Sequence, residues 1–158
     1  MSRIVCKFGG SSLADANQFR RVRAIVESDA RRSIVVPSAP GKRSSTDAKL
    51  TDLLYLCQHS ATLGSDFSGP FTQVRERFLE IERDLGLSGG MAAHLDALEV
   101  ALREGVTKDF VASRGEYLNG LLKVKTAVVG FQQNDVHFFE QIGDGINDFY
   151  VLFFDFFG

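Results

Sequence analysis

The stretch Lys7-Phe8-Gly9-Gly10-Ser11-Ser12 decides how the first part of this chain folds. It ends a short apolar run from Ile4 to Phe8, which has the length and composition of a strand buried on both faces of a parallel sheet. Two glycines stop the run, and apolar residues at helical spacing follow, with Ser12 or Asp15 as the candidate helix cap. The stretch is therefore predicted to be a loop between a strand and a helix.

A second strand is predicted over residues 33–37, where Ile34-Val35-Val36 forms another apolar run. Strand, helix and strand in this order form a right-handed crossover, which implies an α/β fold with parallel strands. A polar loop at residues 39–49 follows, and apolar spacing then predicts helices over residues 50–63, 71–85 and 91–103. A short strand or turn at residues 110–112 is predicted to lead into a helix that starts at Ser113.

The composition limits the class of protein. The chain has 158 residues, 44% of them hydrophobic and 24% charged, which predicts one packed domain rather than a disordered chain. Its formal net charge of −2 provides no basic surface for nucleic acid or for an anionic membrane. The run Ile4-Val5-Cys6 is too short for a secretory signal, and Cys6 and Cys57 are too few for a disulfide framework. We therefore expect a cytoplasmic protein in which both thiols are buried.

Phosphate chemistry is suggested by the first loop. Glycines allow a backbone to approach phosphate oxygens closely, and the start of the next helix offers unpaired N–H groups. Lys7 could place its positive charge beside a phosphoryl group and stabilise that group during transfer. The spacing matches neither a Walker A loop nor a GxGxxG fingerprint. A plain glycine turn at the end of a strand is the alternative.

Three further segments carry polar groups with two readings each. Ser38 follows the second strand, where ligands of α/β sheets bind, although a proline-marked turn would explain the segment equally well. Thr51, in Leu50-Thr51-Asp52-Leu53-Leu54, could contact a substrate or cap a helix. Arg114 and Glu116, at the expected start of the last helix, could hold the opposite charges of an amino acid or form a solvated pair.

Each segment is weak evidence alone, but their combination and order resemble aspartokinases, which belong to the amino-acid kinase family. The resemblance rests on Lys-Phe-Gly-Gly-Ser-Ser, Pro-Ser-Ala-Pro-Gly-Lys-Arg, Leu-Thr-Asp-Leu-Leu and Ser-Arg-Gly-Glu-Tyr-Leu-Asn, and it covers about residues 3–122. It implies a three-layer α/β/α sandwich with a mainly parallel sheet, here incomplete. It also implies transfer of phosphate from ATP to the side chain of L-aspartate, with Mg²⁺ on the phosphates and a homodimer as one assembly.

The resemblance also implies a role for each matching residue. Lys7 would contact the terminal phosphates and stabilise charge during transfer, and the nucleotide loop would be completed by Phe8, Gly9 and Gly10. Ser38 and Thr51 would contact aspartate. Glu116 would bind its amino group, with Arg114 as a lesser candidate. No protein metal site is implied, since magnesium would be held mainly by the nucleotide.

The sequence departs from the family pattern after Leu122. We divide the chain into a front lobe at residues 1–122 and a tail at residues 123–158, which contains eight of the 14 phenylalanines. The second half of such kinases carries an Arg-Gly-Gly-Ser-Asp-like loop that is not found here, so we expect little activity from this chain alone. The acidic stretch at residues 143–148 is interpreted as a turn rather than a phosphatase magnesium loop. A kinase for another acidic amino acid and a non-catalytic binding module are the alternatives.

Overall fold

The computed structural model describes residues 2–32, 34–127, 136–138 and 152–154, with side chains up to Leu122. Strands and helices alternate at first, and four consecutive helices follow. The elements are β1 (Val5–Phe8), a short 3-10 helix (Gly10–Leu13), α1 (Ala16–Glu27), β2 (Ile34–Pro37), α2 (Leu50–Thr62), α3 (Ser68–Asp84), α4 (Met91–Glu104), α5 (Lys108–Ala127), β3 (Val136–Phe138) and β4 (Leu152–Phe154). The α/β class predicted from the sequence is confirmed, as an incomplete α/β fold rich in helices.

The sheet begins with the predicted crossover. β1 and β2 are parallel, with Val5 opposite Ile34 and Phe8 opposite Pro37, and α1 connects them. The strand order is β1-β2-β4-β3, and β4 pairs antiparallel with both β2 and β3. Because β1 and β2 run in the same direction, the segments that follow them emerge at the same edge of the sheet.

β1 is buried on one face rather than on two as predicted. Phe8 packs against the core, whereas Val5 is 60% exposed and Lys7 is also exposed. The apolar run was too short to distinguish these cases, because it shows no alternation that would mark an open face. Cys6, on the side of Phe8, is half-buried, so the prediction of a buried thiol holds for Cys57 only.

Local capping explains where the first helix begins. The Asp15 carboxylate accepts a hydrogen bond of 2.9 Å from the backbone N–H of Gln18, so Asp15 rather than Ser12 caps α1. Ser12 instead belongs to the short 3-10 helix that tightens the predicted loop. Apolar faces of the helices then meet in one core, whose largest fully buried side chains include Phe19, Leu54, Phe78, Leu95 and Leu118.

α5 differs most from the prediction. Residues 110–112 were expected to form a strand or turn, and a helix was expected to start at Ser113, but α5 already starts at Lys108. The backbone N–H of Phe110 donates a hydrogen bond of 3.2 Å to the hydroxyl of Thr107, so Thr107, directly before the helix, caps its start. Arg114 and Glu116 therefore lie in the second and third turns of the helix and not at its start. α5 also continues to Ala127, so our division at residue 122 falls inside it and remains a prediction.

In the part of the chain that the structure describes, no helix is long and apolar enough to cross a membrane. The acidic stretch at residues 143–148, which we interpreted as a turn, lies outside the described residues.

Candidate functional site

The two loops that follow β1 and β2 touch at the edge of the sheet. The N–H of Ser38 donates to the carbonyl of Phe8 at 3.0 Å, and the N–H of Gly41 donates to the carbonyl of Gly10 at 2.8 Å. A Cβ on Gly41 would lie 2.5 Å from the backbone carbon of Gly10, so this approach requires glycine. Gly9, in contrast, has open space where its Cβ would be. The sequence-predicted glycine loop therefore has one glycine packed on the neighbouring turn and one open to a ligand.

Lys7 and Glu116 come together at this edge, although they belong to different elements. Burial raises the pKa of the half-buried Glu116 carboxyl above its usual value, and the positive charge of Lys7 opposes that rise. Lys7 is itself exposed at the end of β1. A cation at the end of β1 thus acts on a carboxylate of α5, and the binding of phosphate and of an amino group would require these two charges.

Ser38 is tied to the same helix as Glu116. The side-chain amide of Asn119 donates a hydrogen bond of 2.5 Å to the backbone carbonyl of Ser38. Asn119 is fully buried and lies three residues after Glu116, so both lie on one face of α5. Gly115 permits the close packing, since a Cβ there would lie 2.9 Å from that of Ala39. The structure thus brings together Lys7, Gly9, Gly10, Ser38 and Glu116.

Thr51 lies in the first turn of α2, with a half-buried side chain. The residue at the cap position is Lys49, and it makes no side-chain capping bond. Our alternative interpretation of Thr51 as the helix cap is therefore wrong. Asp52 follows in the same turn, where a negative charge interacts favourably with the helix dipole.

Phe8 packs its side chain against the core, and its carbonyl accepts a hydrogen bond from Ser38. A role in nucleotide binding would therefore fall to its neighbours.

Arg114 is not brought to this edge. Two residues along a helix correspond to a rotation of about 200°, so Arg114 and Glu116 point to different sides of α5. The guanidinium carbon of Arg114 lies 4.4 Å from the ring centre of Phe110 and 4.7 Å from that of Tyr117. Stacking between two aromatic rings of its own helix explains this arginine without a ligand.

Two residues of this region were missed in the sequence. Arg77, in α3, is 4% exposed and donates to the carbonyl of Gly41 at 2.9 Å and to the Asp47 carboxylate at 2.5 Å. Its position three residues after Val74, inside the apolar stripe of α3, was the signal that could have identified it. Asn119 lies in the quoted Ser-Arg-Gly-Glu-Tyr-Leu-Asn motif, and its spacing from Glu116 was a similar signal.

The model of the amino acid kinase family matches residues 2–142. The chain therefore belongs to the amino acid kinase family. This match extends beyond the residues 3–122 on which we based the resemblance.

Within that family, the chain is similar to the N-terminal catalytic region of aspartokinases, as its motifs predicted. Aspartokinase 3 of Bacillus subtilis (strain 168) is 43% identical over 83 residues, which make up 52% of this chain and 18% of that protein. The crystal structure of Clostridium acetobutylicum aspartate kinase is 45% identical, with a TM-score of 0.77, over 79% of this chain and 29% of that one. The crystal structure of E. coli aspartokinase III in complex with aspartate and ADP is 26% identical, with a TM-score of 0.60, over 80% of this chain and 29% of that one. The chain thus spans less than a third of the length of these relatives.

Proposed function

We propose that this chain serves an aspartokinase reaction, the ATP-dependent phosphorylation of the L-aspartate side-chain carboxylate to 4-phospho-L-aspartate. The observation that carries the proposal is the electrostatic interaction of Lys7 with Glu116 at the edge of the sheet where the loops after β1 and β2 meet. A solved relative is in complex with aspartate and ADP, which supports aspartate as the acceptor and an adenine nucleotide as the second ligand. The product would enter the synthesis of lysine, methionine and threonine, and we keep the prediction of a cytoplasmic enzyme.

The phosphate side of the site would consist of Lys7, Gly9 and Gly10. A carboxylate oxygen of aspartate attacks the γ-phosphorus of ATP, the bond from that phosphorus to the bridging oxygen breaks, and ADP leaves. Such transfer needs positioning and neutralisation of charge more than covalent help from the protein. The exposed ammonium of Lys7 supplies a positive charge, and the open space at Gly9 admits phosphate oxygens beside the backbone.

The amino-acid side would consist of Glu116, Ser38 and Thr51. The Glu116 carboxylate is the candidate partner for the α-ammonium of aspartate, since it already lies half-buried near a cation. A bound ammonium would lower the raised pKa of Glu116 and favour its charged form. Ser38 offers a hydroxyl directly after β2, and Thr51 offers one in the first turn of α2. Arg114 is not included in this proposed site, because its guanidinium lies over the ring of Phe110.

Magnesium would be bound together with ATP. The ion would be carried mainly by the nucleotide phosphates, because Mg²⁺ usually binds with substrate phosphates rather than in an all-protein site. When bound, Mg²⁺ neutralises charge on the β- and γ-phosphates. We also keep the prediction of a homodimer, which the size of the purified protein in solution would test.

The direct test is to trap the acyl phosphate with hydroxylamine. Purified protein would be incubated with ATP, Mg²⁺, L-aspartate and hydroxylamine, and aspartyl hydroxamate would be measured beside a Lys7→Ala control. Hydroxamate that forms with the original protein and is lost in the control supports the kinase. We expect weak turnover from these 158 residues alone, so binding must be measured as well.

Calorimetry separates the kinase from its alternatives. We expect L-aspartate to bind, and Glu116→Gln to weaken that binding by about tenfold or more, because it removes a charge-assisted contact. Tighter binding of L-glutamate than of L-aspartate would indicate a kinase for another acidic amino acid. Aspartate binding without any binding of ADP would indicate a non-catalytic amino-acid module.

A further inference from the structure

The turn at residues 38–41 connects the two halves of the proposed site. Its first residue, Ser38, is bonded to α5, the helix that carries Glu116, and its last, Gly41, contacts Gly10 in the phosphate loop. The distance between the amino acid and the phosphates would therefore depend on how firmly this short turn is held. Its backbone N–H groups donate to the carbonyl of Phe8, at the end of β1, and to the carbonyl of Gly10, in the loop that follows.

Two buried side chains hold the turn at its two ends. Asn119 of α5 donates to the carbonyl of Ser38 at 2.5 Å, and Arg77 of α3 donates to the carbonyl of Gly41 at 2.9 Å. Asn119 is 0% exposed and Arg77 is 4% exposed. The turn is thus fixed to two helices, in addition to its contacts with β1.

The two residues share a feature that a purely stabilising role does not explain. Among the described residues, Nε of Arg77 and Oδ1 of Asn119 are the buried side-chain polar atoms without a hydrogen-bond partner. Burying a polar atom without a partner costs stability, and apolar side chains of similar size would avoid that cost. Arg77 also needs the Asp47 carboxylate, at 2.5 Å, to balance its buried charge. Both residues donate to the same turn, so holding that turn is the effect that the two buried donors have in common.

We propose that Arg77 and Asn119 are positioning residues that clamp the turn at residues 38–41 and set the spacing between the aspartate half and the phosphate half of the site. This inference rests on the proposed function. Asn119 positions Ser38 and lies on the same helix as Glu116, so it affects the binding of the amino acid. Arg77 positions Gly41, which contacts Gly10, so it affects the binding of the nucleotide.

Two variants of similar shape remove one contact each. Asn119→Leu and Arg77→Met keep most of the buried volume and remove the donors to Ser38 and Gly41. Arg75→Met is the matched control, because Arg75 lies in the same helix but pairs with Asp96 on the surface. Circular dichroism would establish that each variant is folded. If either fails to fold, Asn119→Asp and Arg77→Leu replace them, since neither new side chain offers an amide or guanidinium donor to the carbonyls of Ser38 and Gly41.

Hydrogen exchange followed by NMR reads out the clamp itself. We expect the amide of Ser38 to exchange about tenfold faster in Asn119→Leu, and the amide of Gly41 to exchange about tenfold faster in Arg77→Met. Each variant removes one hydrogen bond of ordinary strength from that end of the turn. Amides within α4 should be unchanged, and Arg75→Met should match the original protein. Unchanged exchange of Ser38 and Gly41 in folded variants would overturn the clamp.

Calorimetry reads out its effect on the ligands, with L-aspartate and with ADP in Mg²⁺. Asn119→Leu should weaken aspartate more than ADP, and Arg77→Met should weaken ADP more than aspartate, by about tenfold in each case. Equal losses for both ligands in both variants would mean general destabilisation and would overturn the division of roles. If the original protein binds neither ligand, the proposed function fails, whereas the exchange result still decides whether the turn is clamped.

Discussion

Lys7 at the end of β1 and Glu116 in α5 interact electrostatically across the edge of the sheet. Burial raises the pKa of the Glu116 carboxyl, and Lys7 offsets only part of that rise. A half-buried carboxylate of this kind opposes folding at neutral pH, because its charged form loses solvation. Such a cost is common where a group is kept for binding or catalysis.

The stability of Glu116→Gln should therefore depend on pH. The pKa of Glu116 is raised above its unfolded value of 4.5, so between those two values the folded state binds more protons than the unfolded state. The free energy of unfolding of the original protein then falls as pH rises through that window. Glutamine does not titrate, so the variant should be more stable than the original at pH 7 and no more stable near about pH 4.

Urea denaturation at the two pH values measures this difference. Glu76→Gln is the control, since Glu76 is exposed in the middle of α3, and we expect that change to alter stability by less than about 0.5 kcal/mol. If Glu116→Gln increased the free energy of unfolding equally at both pH values, the raised pKa of Glu116 would be contradicted, because the increase would have to come from packing rather than from charge.

The two cysteines should react very differently with thiol reagents. Cys57 is fully buried in α2, and burial raises the pKa of its thiol to about 11. Since the thiolate is the reactive form, modification of Cys57 requires the protein to open. Cys6 is half-buried in β1. We expect one rapid and one slow equivalent with Ellman's reagent, and only the slow one in Cys6→Ser; a rapid reaction in that variant would refute the burial of Cys57.

Alanine at Gly41 and at Gly9 should have separate effects on folding and on binding. In Gly41→Ala the new Cβ would meet the backbone of Gly10 at 2.5 Å, so we expect a loss of about 1 to 3 kcal/mol of stability. In Gly9→Ala nothing lies within 4 Å, and the φ of −72° suits any residue, so stability should change by less than about 0.5 kcal/mol.

Binding then tests the open space at Gly9. If phosphates approach the backbone there, Gly9→Ala should weaken ADP binding by about tenfold without loss of stability, because the methyl group occupies the place of phosphate oxygens. Thermal denaturation and calorimetry on the same samples measure both quantities. Unaltered ADP binding in Gly9→Ala would place the phosphates elsewhere.

The parts of the fold that the sequence predicted are those governed by local pattern. The apolar runs and the glycines identified β1, β2 and the loop between β1 and α1, and the period of the apolar residues identified α2, α3 and α4. The open face of β1 and the buried state of Arg77 depend on what packs against them, which one sequence does not reveal. The motif predicted Glu116 but not the start of α5, since Phe110-Val111-Ala112 suits a strand and a helix equally well without its neighbours.

The corrected position of α5 leads to the prediction for Arg114. Because it stacks on Phe110 and Tyr117, away from Glu116, Arg114→Ala should leave aspartate binding within about twofold of the original. It should reduce stability by about 1 kcal/mol, since stacking and the packing of the long side chain are lost. Arg114→Lys, which keeps the charge but not the planar group, should recover only part of that stability. Calorimetry beside Glu116→Gln provides the comparison: a loss of aspartate affinity in Arg114→Ala as large as in Glu116→Gln would mean that the arginine turns toward the ligand when it binds.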